Sequence, residues 1–95
     1  MKLIVSRAAA ADIERLHAFL TDENEAAAQR AATVFIHAIQ SLDTLPDRGR
    51  PSRVTGAREL IVPFGQSAYI VRYAHNARRE EVAILRIWHS REARE

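Results

Sequence analysis

A single stretch, Leu45-Pro46-Asp47-Arg48-Gly49-Arg50-Pro51, divides this chain into two halves with different periodicities. Before it, Ala28, Ala32, Phe35, Ile39 and Leu42 recur at spacings of three and four residues, which puts them on one face of a helix. After it come three short runs of β-type sequence: Arg58-Glu59-Leu60-Ile61-Val62, Tyr69-Ile70-Val71-Arg72-Tyr73 and Ile84-Leu85-Arg86-Ile87-Trp88-His89. Branched and aromatic residues suit strands, and Pro46 lacks the backbone donor that another helical turn would need. The chain must therefore set a helical layer against a small sheet.

The first half resolves further. Residues Lys2–Val5 read as a strand, and Ser6 as the N-cap of a helix over residues 9–20, with Ile13, Leu16 and Leu20 on one face. Thr21-Asp22-Glu23-Asn24 interrupts the pattern. Asp22 and Glu25 have the spacing of a capping box, and Asn24 is an alternative cap. A second helix follows over Glu25–Thr44, and so short a turn makes the pair an antiparallel hairpin. Its early alanines permit close approach.

Residues 47–56 read as loop from their Pro, Gly and charge content. A strand is expected over 59–64, with Pro63 marking an edge or the end of its pairing. Phe64-Gly65-Gln66-Ser67 fits a hairpin turn with Gly at the first central position. Strands over 68–74 and 81–88 flank a looser turn at 75–79, and a charged tail starts at Ser90. The order is β-α-α-β-β-β, an α+β fold in which a helical hairpin packs on one face of a small, mainly antiparallel sheet. The other face, the 47–57 loop and the tail are left for function.

Ninety-five residues make one domain, residues 1–95, with too little interior for a deep enclosed pocket. Chemistry belongs on a surface or in a shallow groove. The absence of cysteine excludes disulfides, thiolate catalysis and Cys-ligated zinc and favours the cytoplasm. No apolar run approaches membrane-spanning length, and Met1–Val5 is too short for a signal peptide. Net charge is +2 but uneven: residues 1–45 carry four basic and six acidic side chains, residues 46–95 ten and six. Apart from Lys2, every Lys/Arg position is arginine. Codon bias explains the preference for Arg but not its concentration in one half. Planar guanidinium groups suit phosphate, base and carboxylate partners.

The succession of LPDRGRP, REL at 58–60, YIVRY at 69–73 and ILRIWH at 84–89 resembles the RelE/ParE superfamily of small bacterial toxins, the toxic halves of type II toxin–antitoxin pairs. The resemblance covers nearly the whole chain and implies the sheet order of that fold. RelE-like members cut mRNA in the ribosome: basic side chains from the sheet grip the scissile phosphate, and a C-terminal His or Tyr assists proton transfer. By motif, Arg58, Arg86 and His89 fall where such a site would lie. ParE-like members poison DNA gyrase by binding and are not nucleases. They often keep a His followed by a small and a basic residue, which His89-Ser90-Arg91 resembles.

Cleavage of RNA needs two proton-transfer groups and cations for the phosphorane. His89 can fill one role, with Arg58 and Arg86 as the cations. No second shuttle is visible, and Glu59 is the only nearby carboxylate. The chain also lacks the Lys-rich middle and the C-terminal His-Tyr or Arg-Tyr pattern of many RelE-like nucleases. Parity adds a constraint, because residues three apart on a regular strand point to opposite faces. Arg86 and His89 converge only if the strand ends or bulges near Trp88. His89 is otherwise a strand-end residue hydrogen-bonded to backbone.

Arg50 either anchors its loop or faces a partner, and Arg72 is a groove residue or a salt-bridge partner. Tyr69, Tyr73 and Trp88 are read as packing residues rather than stacking platforms. His17, His37 and His75 have no ligand spacing, so no metal is assigned, and no phosphate loop or dinucleotide fingerprint calls for a cofactor. The favoured reading is a ParE-like toxin that poisons DNA gyrase by binding. The alternative is a RelE-like endonuclease acting on ribosome and mRNA, and the third is a non-toxic nucleic-acid-binding module. Under the favoured reading, no residue is catalytic. Arg50, Arg58, Arg72, Arg86, His89, Arg91 and Arg94 meet the target or the acidic amphipathic segment of a cognate antitoxin.

Overall fold

Two capping residues organise the helical layer of the computed structural model, which describes residues 1–92. Ser6 opens helix α1 (Arg7–Glu23), its Oγ accepting the N–H of Ala9 at 3.0 Å. Asn24 then serves both helices. Its N–H donates to the Leu20 carbonyl at 2.7 Å, closing α1, and its Oδ1 accepts the Ala27 N–H at 3.2 Å, opening α2 (Glu25–Thr44). Helix α1 is thus longer at both ends than its apolar spacing suggests. Asp22 lies inside it, so the capping-box reading of Asp22 and Glu25 gives way to Asn24. Exposed polar turns such as Thr21-Asp22-Glu23 carry no apolar signal that would place them within a helix.

The sheet has five strands in the order β1-β5-β4-β3-β2. These are β1 (Lys2–Val5), β2 (Arg50–Pro51), β3 (Arg58–Phe64), β4 (Ser67–Asn76) and β5 (Glu81–His89). All neighbours are antiparallel except β1 and β5. Strand β2 lies in the segment expected to be loop: Arg50 and Pro51 pair with Glu59 and Arg58. Two residues are too few to show a period. Pro63 sits beyond the reach of β2, opposite Ala68 on an otherwise open edge, where its missing donor costs nothing. Gly65 turns the β3–β4 hairpin at φ +60°, which glycine adopts without strain.

Strand β5 carries a bulge. Tyr73 faces Ile84 but Arg72 faces Arg86, leaving Leu85 as an extra residue that resets the alternation. Ile84 and Ile87, three apart, consequently both enter the core. That core joins Leu60, Val62, Tyr69, Val71, Tyr73, Val82, Ile84 and Ile87 of the sheet to Ala9, Leu16, Ala31 and Leu42 of the helices. Burying a side chain such as Ile84 or Leu42 stabilises by about 1.5–3 kcal/mol. Among the described residues no helix is long and apolar enough to cross a membrane.

Candidate interaction site

On the sheet face turned away from the helices, four charged residues stand in direct cross-strand register. Arg50 of β2 faces Glu59 of β3, Glu59 faces Arg72 of β4, and Arg72 faces Arg86 of β5. Like charges directly opposite one another are unfavourable, so the Arg72–Arg86 step needs compensation. Glu59 supplies part of it: its Oε2 accepts from Arg72 Nη2 at 3.0 Å, and its Oε1 lies 3.5 Å from Arg50 Nη2. Trp88 supplies more, with the Arg72 and Arg86 guanidinium carbons 4.7 and 5.0 Å from its ring centre, within cation–π range.

The rest comes from helix α1. Asp12, 4% exposed, receives Arg86 through Nε at 2.8 Å and Nη2 at 3.2 Å. It also accepts the Ile87 N–H at 2.8 Å. Burial alone would raise the Asp12 pKa. Hydrogen bonds from Arg86, Ile87 and Arg15, with the Arg86 charge, outweigh it and hold the carboxyl below its ordinary 3.8.

This same helix finishes the edge of β5. Strand β1 pairs only as far as Ile84, and side chains take over from there. Ser6 donates its N–H to the Ile84 carbonyl at 3.0 Å and its Oγ–H to the Leu85 carbonyl at 2.9 Å. Arg15 reaches Asp12 Oδ1 at 3.2 Å and the Ile87 carbonyl at 3.4 Å, and also grips Glu92. Glu92 Oε1 accepts the His89 N–H at 2.8 Å.

His89 lies on the helix-side face, opposite Tyr69. Its Nδ1 accepts the Arg91 N–H at 3.1 Å, so the neutral ring carries its proton on Nε2. The ring stands edge-on to Tyr69 with centroids 5.4 Å apart. Burial, and after it the Glu92 charge, push the Tyr69 phenol above its ordinary 10.0. Around this end of the sheet a groove of about 520 Å³ is walled by Arg15, Phe19, Phe64, His89, Arg91 and Glu92. A second groove, about 270 Å³ and almost wholly apolar, runs between the helices past Ile13, Phe35, Ile36 and Ile39.

The arginines and histidine marked by sequence thus separate. Arg50, Arg72 and Arg86 share one row, with Arg72 buried at 7% exposure. Arg58 lies on the opposite face, donating to the Gly49 carbonyl at 2.8 Å with Asp47 3.7 Å away. It helps Tyr73 hold the loop, the Tyr73 hydroxyl accepting the Gly49 N–H at 2.9 Å. A Cβ on Gly49 would lie 2.7 Å from that hydroxyl, which explains the glycine there. The bulge falls at Leu85, before Arg86 rather than near Trp88, so Arg86 and His89 remain on opposite faces. Arg58 and His89 are opposite residues four apart on β4, roughly 13 Å along a strand. Arg58, Arg86 and His89 therefore do not converge on one phosphate. Arg91 borders the larger groove, and Arg94 lies outside the described residues.

Asp12, Arg15 and Glu92 carry much of this arrangement, and the sequence does not single them out. Asp12 sits among alanines with the ordinary look of a solvated helical carboxylate, and its partners on β5, Arg86 and Ile87, are more than seventy residues away. Among the described residues no cluster of His, Asp or Glu has the makings of a metal site. His75 instead places Nδ1 3.1 Å from Asp47 Oδ1. What the assembled groups can do is present fixed guanidinium groups and apolar grooves to another macromolecule. Proton transfer is poorly served.

Comparison with known proteins gives the family and the fold. A family model described as the ParE toxin of the type II toxin-antitoxin system, parDE, matches residues 3–94. The chain is 39% identical over 92 residues to "Toxin RelE1" of Caulobacter vibrioides, covering 97% of this chain and 96% of that protein. Its fold is similar to a chain from a chromosomal ParDE TA system of P. aeruginosa, with a TM-score of 0.74 over 94% of this chain and 95% of that one. The identity there is 24%, so that likeness speaks for the fold alone.

Proposed function

The chain belongs to the ParE toxin family of type II toxin–antitoxin systems, and from that premise we propose that it arrests growth in the cytoplasm by binding and poisoning DNA gyrase. A cognate antitoxin neutralises it. The observation that carries the choice of target is the separation of Arg58, Arg86 and His89. A ribonuclease must bring its cations and its proton shuttle to a single phosphate. Here Arg86 lies on the face opposite His89 and is held by Asp12. Arg58 shares the His89 face but stands four β4 positions away, roughly 13 Å along the strand, and the histidine uses Nδ1 to cap a turn. A binder needs none of that convergence.

The antitoxin reading is supported by what the helical hairpin exposes. Phe19 is 63% exposed, and Ile13 and Ile36 also lie open beside the apolar inter-helix groove. An amphipathic acidic segment would cover these apolar residues and set its carboxylates against Arg15 and Arg91, which border the adjoining groove beside Phe19.

A second reading, the RelE-like endonuclease, is favoured by the name of the Caulobacter relative, Toxin RelE1. One pair of assays separates the two. Purified protein incubated with gyrase and supercoiled DNA is expected to trap cleaved DNA, and its induction in cells to trigger DNA-damage signalling before translation fails. Cuts at fixed codon positions in ribosome-bound mRNA, with DNA intact, would instead establish the endonuclease.

A further inference from the structure

The side chain of Glu92 reaches from beyond the end of β5 to Arg15 on helix α1, and both residues line the 520 Å³ groove. It stands among cations: Arg15 in front and Arg91 beside it, with no other carboxylate among the described groove residues. The surrounding floor is aromatic and apolar, made of Leu16, Phe19, Leu20, Phe64 and Tyr69. Arg15 is held by two further contacts, to Asp12 and to the Ile87 carbonyl, so its guanidinium keeps its place whether or not Glu92 is there. Glu92, by contrast, follows the last strand and depends on Arg15 and the His89 N–H for its position.

We propose that Glu92 is an internal stand-in for a partner's carboxylate: an acidic amphipathic segment docks in this groove by displacing Glu92 from Arg15 and laying an adjacent apolar side chain against Phe19 and Phe64. Charge complementarity selects the occupant. A groove whose fixed wall is cationic, and whose own chain already fills it with a carboxylate, matches an acidic segment better than an apolar one or a phosphate chain. The shared edge at Leu16 and Leu20, which line both grooves, makes the site continuous with the apolar inter-helix surface. One segment can therefore run from one groove into the other. The inference rests on the reading that the chain has an acidic antitoxin. It adds the point of entry and the residue that must leave.

Competition of this kind has a distinctive thermodynamic signature. Removing the internal competitor strengthens binding by about the worth of a surface ion pair, roughly two- to fivefold. The gain exists only while Arg15 is present to be competed for. The test is a double-mutant cycle on the full chain, titrated by calorimetry with the purified antitoxin encoded beside its gene. Glu92→Gln keeps an acceptor for the His89 N–H and is expected to bind two- to fivefold tighter than the parent. Arg15→Gln should bind about tenfold more weakly, and Arg15→Gln/Glu92→Gln no better than Arg15→Gln alone. Unfolding midpoints identify any variant that has lost its fold, with Arg15→Lys as the milder substitute. Equal gains from Glu92→Gln in both backgrounds, or no gain in either, would overturn the proposal while leaving the antitoxin reading intact. If that purified protein fails to bind the parent chain at all, the reading and the inference fall together. Salt-sensitive binding of a single-stranded oligonucleotide, lost in Arg15→Gln, would reassign the groove to nucleic acid.

Discussion

Asp12 of helix α1 accepts the backbone N–H of Ile87 in strand β5 at 2.8 Å while gripping Arg86, the neighbouring residue, through two nitrogens. A single carboxylate therefore does the work of a missing strand and of a counter-ion. Beyond Ile84 the strand has no β-neighbour on that side, and a buried N–H left unmet would cost about 1–3 kcal/mol. The same carboxylate neutralises a guanidinium that would otherwise face Arg72.

Asp12→Asn should accordingly destabilise the protein by about 2–3 kcal/mol at neutral pH, reduced from the figure for a fully buried pair because Arg86 is partly exposed. The sign of the pH dependence follows from the depressed pKa. The stability that Asp12 contributes is present above its unfolded value near 3.8 and is lost as pH falls through the lower folded value. Urea melts of parent and variant should converge as the pH drops below that range. A constant gap throughout the acid range would show that the carboxylate charge is not what matters.

Glu59 and Arg72 form a buried ion pair, 5% and 7% exposed, at 3.0 Å. Breaking one side strands the other, whereas replacing both by apolar residues of similar volume can be neutral. Glu59→Gln should cost about 3 kcal/mol, and Glu59→Leu/Arg72→Met should recover most of it. If the double variant is as unstable as the single one, the row is held by something other than this pair. Thermal and chemical melts read both.

His89→Gln retains a side-chain acceptor near the Arg91 N–H and removes any proton shuttle. The expected result is a loss of about 0.5–1.5 kcal/mol in stability with most growth inhibition preserved. A general acid or base would instead lose ~10²–10⁴-fold in activity. Loss of toxicity in a stable, antitoxin-competent His89→Gln protein would reverse the ranking of gyrase over ribosome.

Much of the fold could be read from short-range pattern. The stripe from Ala28 to Leu42, the stop at Pro46, the cap at Ser6 and the turn at Gly65 are local signals, and each names its element without reference to the rest of the chain. What escaped is what distant residues decide. The two-residue strand β2 exists because β3 offers it an edge, and the bulge at Leu85 arises where β1 ends and Ser6 takes over its hydrogen bonds. The candidate site divides in the same way. Arginine-rich strands are visible in the sequence, but their partition between two faces depends on strand register and the bulge. The carboxylate that orders Arg86 comes from a helix at the other end of the chain.

Strand β5 is the last of the five in sequence and sits between β1, the first, and β4. Its pairing with β1 closes a loop of more than seventy residues, a large entropic step that contacts within the helical hairpin do nothing to reduce. During synthesis the helices and the β3–β4 hairpin can assemble early. The row of guanidinium groups, the Asp12 clamp and the groove beside His89 all wait for β5. A polypeptide still missing that strand has no finished surface of this kind, so the protein's capacity to act arises in one step, when β5 joins the sheet.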